Sequence, residues 1–119
     1  EGDPRLMALE GEYIVVGFSP QFKKTYQGKV YFKYKEKDTL AVSRVILGEK
    51  TEGTAALMKT PPSEMWELVV RYREKGQEVK AVYLMQTEYD NYIRLTGFVY
   101  RPGVSLEKKG LEALFPVIR

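Results

Sequence analysis

Apolar and polar side chains alternate along most of this chain, which is the pattern of β-strands that bury one face. The alternation is clearest between residues 25 and 37, where apolar residues share one parity and lysines share the other. The apolar parity holds Tyr26, Val30, Phe32 and Tyr34, and the basic parity holds Lys29, Lys33, Lys35 and Lys37. We interpret this segment as a strand with an apolar inner face and a basic outer face.

The same pattern predicts eight strands, at residues 10–18, 25–35, 39–47, 52–59, 65–73, 78–86, 92–101 and 111–118. Residues 1–9 are a polar lead-in, and residues 105–110 are a charged loop or one helical turn. Eight short strands with hairpin-length turns predict an antiparallel meander, and closure into an up-and-down barrel removes its two unpaired edges. We therefore predict an all-β protein with one barrel domain over residues 10–119.

Glycines inside the strand patterns are interpreted as bulges or corners that let a small barrel curve. They are Gly11, Gly17, Gly28, Gly53 and Gly97.

Composition excludes several kinds of chemistry. The 119 residues contain no Cys and no His, which excludes disulfides, Cys- or His-ligated metals and Ser-His-Asp triads. We therefore expect no metal, no cofactor and no enzymatic activity. No apolar run approaches the roughly 18 residues that a membrane-spanning helix needs. A single asparagine, Asn91, among many charged residues is a thermophile tendency.

Several short motifs in order resemble small exported bacterial calycin-like domains, which are lipocalin-like barrels of unassigned function. The matching residues are 11–17 (Gly-Glu-Tyr-Ile-Val-Val-Gly), 26–30 (Tyr-Gln-Gly-Lys-Val), 52–54 (Glu-Gly-Thr), 95–98 (Leu-Thr-Gly-Phe) and 110–116 (Gly-Leu-Glu-Ala-Leu-Phe-Pro). The sequence departs from the pattern with Phe98 in place of the usual Trp. The resemblance implies a calycin barrel and export to the periplasm or outside the cell. On that implication we expect Glu1 to be a processed N-terminus, although a start at Met7 is the alternative.

Aromatic residues on the predicted inner parities make a first candidate site. If the barrel is hollow, a small apolar ligand would contact Tyr13, Tyr34, Trp66, Tyr83 and Phe98. The alternative is a filled barrel in which these rings are core side chains.

A basic stripe over residues 23–37 makes a second candidate site. Lys29, Lys33 and Lys35, with Tyr31 on the same parity, suit single-stranded nucleic acid or an anionic lipid surface. The alternative is a solvated outer face, which the net charge of only +3 favours, so we expect nucleic acid not to be the partner.

Two further sets complete the candidates. Glu10, Glu12 and Glu112 approach one another if the first and last strands pair, but ordinary surface charges are the alternative. A second set is expected to be apolar and outward-facing, and it suits a homodimer or a protein partner. It contains Ile14, Val16, Phe18, Val82, Leu84, Ile93, Leu95 and Val99. The alternatives are that the N-terminal arm and residues 105–110 cover this set, or that the parity is inverted on some strands.

These observations favour a non-enzymatic binding protein that holds a small apolar ligand inside a calycin-like barrel. The alternatives are an exported interaction module, either an inhibitor or an assembly subunit, with a filled barrel, and a binder of single-stranded nucleic acid through residues 23–37. The hypotheses of a small-ligand carrier and of an interaction module differ in whether the barrel is hollow.

Overall fold

The computed structural model describes residues 4–20, 22–59, 65–87 and 93–117, with only the backbone at 86, 87 and 93. Eight antiparallel strands form a closed barrel in which each strand pairs with its sequence neighbours and β1 pairs with β8. The strands are β1 Gly11–Ser19, β2 Lys24–Glu36, β3 Thr39–Ile46, β4 Glu49–Met58, β5 Glu67–Glu74, β6 Gln77–Thr87, β7 Ile93–Tyr100 and β8 Gly110–Pro116. The predicted fold class is confirmed.

The lead-in contributes to the core. A short helix, α1, covers Pro4–Met7, with proline at the first helical position, where its missing N–H removes no hydrogen bond. Leu6 and Leu9 are fully buried in the barrel core, and the hydroxyl of Tyr13 donates to the carbonyl of Leu9 at 2.9 Å. The segment predicted as a polar lead-in therefore packs its two leucines against the barrel.

Two hairpins use two-residue loops, Leu47–Gly48 between β3 and β4, and Lys75–Gly76 between β5 and β6. Both residues of each loop have positive φ, which is the backbone of type I′ turns and matches the twist of the strands. Because the first loop is so short, β4 begins at Glu49, three residues before the predicted start. The predicted helical turn after Ser105 is a 3₁₀ turn at Leu106–Lys108.

Side-chain parity matches the prediction on most strands and is wrong on β7. Tyr13 and Val15 face inward, and Ile14, Val16 and Phe18 face outward. On β7, however, Leu95 and Val99 are buried, whereas Phe98 is 39% exposed. The odd positions of this strand hold Leu95, Gly97 and Val99, whereas the even positions include Arg94 and Thr96, so the pattern itself favours the observed orientation. The prediction was wrong because it gave more weight to the aromatic ring of Phe98 than to these two polar neighbours. The side chain of Ile93 lies outside the described residues.

Apolar side chains fill one end of the barrel interior, and a layer of polar side chains crosses the interior nearer the other end.

Within the described ranges, no helix has both the length and the apolar character to cross a membrane.

Candidate functional site

The five residues predicted to contact an interior ligand do not line one common space. Tyr13 and Tyr83 are both buried inside the barrel. Gly17 is the residue of β1 in register with Tyr83, and Tyr13 lies four positions along β1 from Gly17, which is roughly 13 Å of strand. Tyr34 is half-buried against the core. Trp66 is half-buried just before β5, with the Arg5 guanidinium 3.9 Å from its ring centre. Phe98 lies on the outer face, so its predicted inward orientation is wrong.

One rung of the barrel builds a polar cluster from five residues in register on five neighbouring strands. In order around the barrel they are Tyr26, Gly17, Glu112, Gly97 and Tyr83. A Cβ at Gly17 would overlap the ring of Tyr26, and a Cβ at Gly97 would overlap the backbone of Val82 and Tyr83. Gly17 thus leaves the space beside the carboxylate that the Tyr26 ring occupies, and Gly97 allows β7 to approach the backbone of β6 closely.

Arg44, on β3, completes this cluster from across the barrel. Its Nη1 and Nη2 donate to Oε1 and Oε2 of Glu112 at 3.0 and 2.7 Å. The hydroxyl of Tyr83 donates to Oε1 at 2.6 Å, and that of Tyr26 donates to Oε2. The guanidinium also lies over the ring of Tyr72, with Cζ 4.4 Å from the ring centre. The result is a bidentate ion pair with both partners almost completely buried.

Each ionisable group in this cluster is held in one protonation state. Burial opposes the charge of Glu112, but the adjacent Arg44 outweighs it, so the pKa of Glu112 lies below its ordinary value. Burial likewise opposes the charge of Arg44, and Glu112 outweighs it, so the pKa of Arg44 is raised. Burial and then the Glu112 charge raise the pKa of Tyr26 and of Tyr83. The carboxylate and guanidinium are therefore charged and the tyrosines neutral.

The Glu112 carboxylate has no free acceptor position in this cluster. A carboxylate accepts at about four lone-pair sites, and Glu112 accepts hydrogen bonds from Arg44 twice and from Tyr26 and Tyr83 once each. Its side chain has no solvent exposure. Two buried atoms of the described cluster lack a partner, Nε of Arg44 and the hydroxyl of Tyr72. This arrangement joins β2, β3 and β6 to β8 through the Glu112 carboxylate.

Sequence reasoning did not single out Arg44 and treated Glu112 as a surface charge or a member of a carboxylate group. That expectation is wrong, because the three carboxylates have different partners. Glu10 accepts from the backbone N–H of Tyr34, Glu12 pairs with Lys29 at 3.1 Å, and Glu112 pairs with Arg44. Among the described residues no group of three or more acidic side chains is placed to hold a metal. A usable signal existed, since Arg44 and Glu112 carry opposite charges on inward parities.

The predicted basic surface lies where the pattern placed it. Lys29, Lys33 and Lys35 are all exposed on the outer face of β2, and Tyr31 lies between them, 38% exposed. Lys29 is neutralised in part by Glu12. The expectation that nucleic acid is not the partner of this surface stays a prediction.

A groove of about 650 Å³ crosses the outer face of four neighbouring strands. This outer groove lies between two rows of outward side chains. Each row is in register across β1, β8, β7 and β6. One row is Val16, Ala113, Thr96 and Leu84, and the other is Phe18, Leu111, Phe98 and Val82. The floor is the backbone of Gly17, Glu112 and Gly97, and Thr25, Glu67 and Tyr100 complete the lining.

The outer groove is mostly apolar and partly exposed. Val16, Phe18, Phe98 and Leu111 are all exposed, which is unusual for side chains of this size clustered on one face. The sequence predicted part of this surface, through Val16, Phe18, Val82 and Leu84. It also assigned Leu95 and Val99 to this surface, and both are buried in the core instead.

Comparison with known proteins bears on the fold alone. No family model matches the chain, and no curated protein matches it. Among solved structures, the chain is similar to a redesigned β-barrel, with a TM-score of 0.59 and 16% identity over 99% of this chain and 100% of that one. The chain thus shares the fold of a closed β-barrel with that designed protein.

Proposed function

We propose that this protein is a non-enzymatic binding protein whose outer groove holds an apolar ligand. The observation that carries the proposal is the groove itself, because it concentrates exposed Val16, Phe18, Phe98 and Leu111 around one concavity. Removing such surface from water is favourable by about 25 cal/mol per Å². The free energy of binding would therefore become more favourable with every apolar side chain that an occupant covers.

The size and lining of the outer groove suit a small molecule. Small-molecule sites enclose roughly 300–1,000 Å³ and combine apolar walls with a few polar groups that orient the ligand. The groove measures about 650 Å³, and its polar groups, Thr25, Glu67, Thr96 and Tyr100, are few and peripheral.

Two features favour the outer groove over the barrel interior as the ligand site. The interior positions described above are occupied by buried apolar side chains and by the Arg44–Glu112 cluster. Opening that space would break the ion pair and leave a charge without its partner, which costs about 3–5 kcal/mol. The proposal therefore moves the ligand from the interior, where the sequence suggested it, to the outside of β6, β7, β8 and β1.

A calycin relationship and export to the periplasm or outside the cell are also part of this proposal. Both are supported by the sequence motifs at residues 11–17, 26–30, 52–54, 95–98 and 110–116. The non-enzymatic part of the proposal is supported by composition, since the chain contains no Cys and no His.

The test compares two exposed aromatic residues on different outer faces. Phe98 is in the outer groove and 39% exposed, whereas Tyr31 is on β2 and 38% exposed. We expect Phe98→Ser to weaken binding of the neutral apolar dye Nile red about tenfold, because a covered aromatic side chain contributes about 1.5–3 kcal/mol. Fluorescence titration measures the affinity, and circular dichroism confirms that each variant folds. Equal affinities for wild type, Phe98→Ser and Tyr31→Ser, or no binding at all, would contradict the proposal.

A protein partner is the second candidate, because the apolar face continues beyond the groove. Ile14 and Phe115 are paired in register on β1 and β8, and both are exposed. Sedimentation of wild type and Ile14→Lys tests this candidate. Self-association that the substitution abolishes, with Nile red binding retained, would favour a protein interface on this extension.

A further inference from the structure

We infer that the occupant of the outer groove is an amphiphile, with an apolar body in the groove and an anionic head group held at its basic rim by Lys109 and Lys80. This inference rests on the proposed function, since it names the chemical class of the ligand for the same groove. The evidence for an anionic head group is the distribution of charge around the groove. The apolar lining alone favours no particular head group.

Lys109 stands at one rim of the groove, directly over a lining residue. Its Nζ is 4.7 Å from the ring centre of Phe98, and it donates one hydrogen bond to the carbonyl of Leu106 at 3.2 Å. An ammonium group has three donors. No described carboxylate forms an ion pair with Lys109, so its remaining donors are open to an anion.

The next outward row on the same rim is also basic. Arg71, Lys80 and Tyr100 are in register on β5, β6 and β7, one row beyond Val82 and Phe98. Tyr100 lines the groove, and Lys80 is half-buried beside it. Within the described part of the chain, neither Arg71 nor Lys80 has an acidic partner. The rim therefore carries three cations and one phenol hydroxyl.

The opposite row ends in Glu67 on β5, level with Leu84. The other acidic residue of the lining, Glu112, contributes only its backbone, because its side chain is buried inside the barrel. A carboxylate at that end would repel an anionic head group, whereas the cations of the other rim attract it. The field across the groove thus orients an amphiphile, with the head toward Lys80 and Lys109 and the tail between the two apolar rows. A cationic or uncharged apolar ligand would leave the basic rim without a partner.

The experiment displaces Nile red with two molecules of the same chain length, decanoate and 1-decanol, at low ionic strength. We expect decanoate to displace the dye at a concentration about tenfold lower than 1-decanol, because its carboxylate forms ion pairs with Lys80 and Lys109 that a hydroxyl cannot form. In the double variant Lys80→Gln/Lys109→Gln this preference should disappear, with 1-decanol unaffected. The matched control, Lys29→Gln/Lys33→Gln, removes the same charge from the outer face of β2 and should keep the preference.

The possible outcomes distinguish a failure of this inference from a failure of the proposed function. Loss of the preference only in the Lys80/Lys109 variant supports the inference. Equal displacement by both molecules, a preference that survives in that variant, or the same loss in the control overturns it and leaves apolar binding in the groove standing. If wild-type protein fails to bind Nile red, the proposed function fails, and this inference fails with it.

Discussion

At the scale of single residues, two buried tyrosines show how hydrogen-bond partners determine the contribution of a hydroxyl to the free energy of unfolding. Tyr72 and Tyr83 are both almost completely buried, and both contact Arg44. The hydroxyl of Tyr83 donates to the Glu112 carboxylate, whereas that of Tyr72 has no partner among the described residues. Burying an unpaired hydroxyl costs free energy, whereas a hydrogen bond to a charged group contributes about 1.5–3 kcal/mol.

We therefore predict opposite responses to the same substitution. Tyr83→Phe should lower the free energy of unfolding by about 2 kcal/mol, because Glu112 loses one donor. Tyr72→Phe should leave the stability unchanged or raise it, because it removes an unsatisfied polar atom. Urea denaturation of the two variants measures the difference. Similar destabilisation by both would mean that the Tyr72 hydroxyl is hydrogen-bonded, for instance to a buried water.

At the scale of elements, the hairpin turns carry residues that their backbone does not favour. Leu47 and Lys75 have φ of 52° and 51° in type I′ loops, each followed by a glycine at 82°. A left-handed conformation costs most L-residues about 1–2 kcal/mol, and asparagine adopts it with less strain. Leu47 is 81% exposed, so its side chain contributes little packing in return.

Leu47→Asn should consequently stabilise the barrel by up to about 1 kcal/mol, through relief of backbone strain at the β3–β4 turn. The matched control is Leu106→Asn, at another exposed leucine (70%) that does not have positive φ. Thermal unfolding of both variants is the measurement. A gain at Leu106 equal to that at Leu47 would attribute the effect to lost surface hydrophobicity and not to the turn.

At the scale of the whole molecule, stability depends on pH through groups whose pKa the fold shifts. Burial raises the pKa of Tyr13 and of Tyr72 to about 12. Above about pH 10 the unfolded chain loses tyrosine protons that the folded chain retains, so stability falls as pH rises. The pKa of Glu112 is lowered by Arg44, so below its ordinary value of 4.5 the unfolded chain gains a proton first, and stability falls as pH falls.

The expected profile is therefore a plateau near neutral pH with a decline on both sides. On the alkaline side each buried tyrosine contributes a slope of about 1.4 kcal/mol per pH unit between its unfolded and folded pKa values. Urea midpoints across pH measure the profile, and ultraviolet absorbance reports tyrosinate directly. Ionisation of all nine tyrosines of the chain with the barrel still folded would contradict the alkaline limb. A stability that is constant down to about pH 3 would contradict the acid limb.

The local pattern was sufficient to predict the eight strands and their closure. Strand periodicity and turn residues act over a few positions, so they can be read directly from segments such as 25–37. Closure followed because an open meander would leave two unpaired edges. The parity of β2 was also readable, because lysines mark its outer face and the opposite row, which contains Phe32, is apolar.

The tertiary structure alone decided the parity of β1, the burial of Glu112 and the outer groove. Glu112 meets Arg44 across 68 positions of sequence, and whether the two side chains meet depends on how β8 registers against β1 when the barrel closes. β1 is apolar on both faces, so its orientation is set by that same register. The sequence by itself thus determined the strands and the barrel, through interactions over a few residues, whereas the polar cluster and the groove exist only once closure sets the pairing of distant strands.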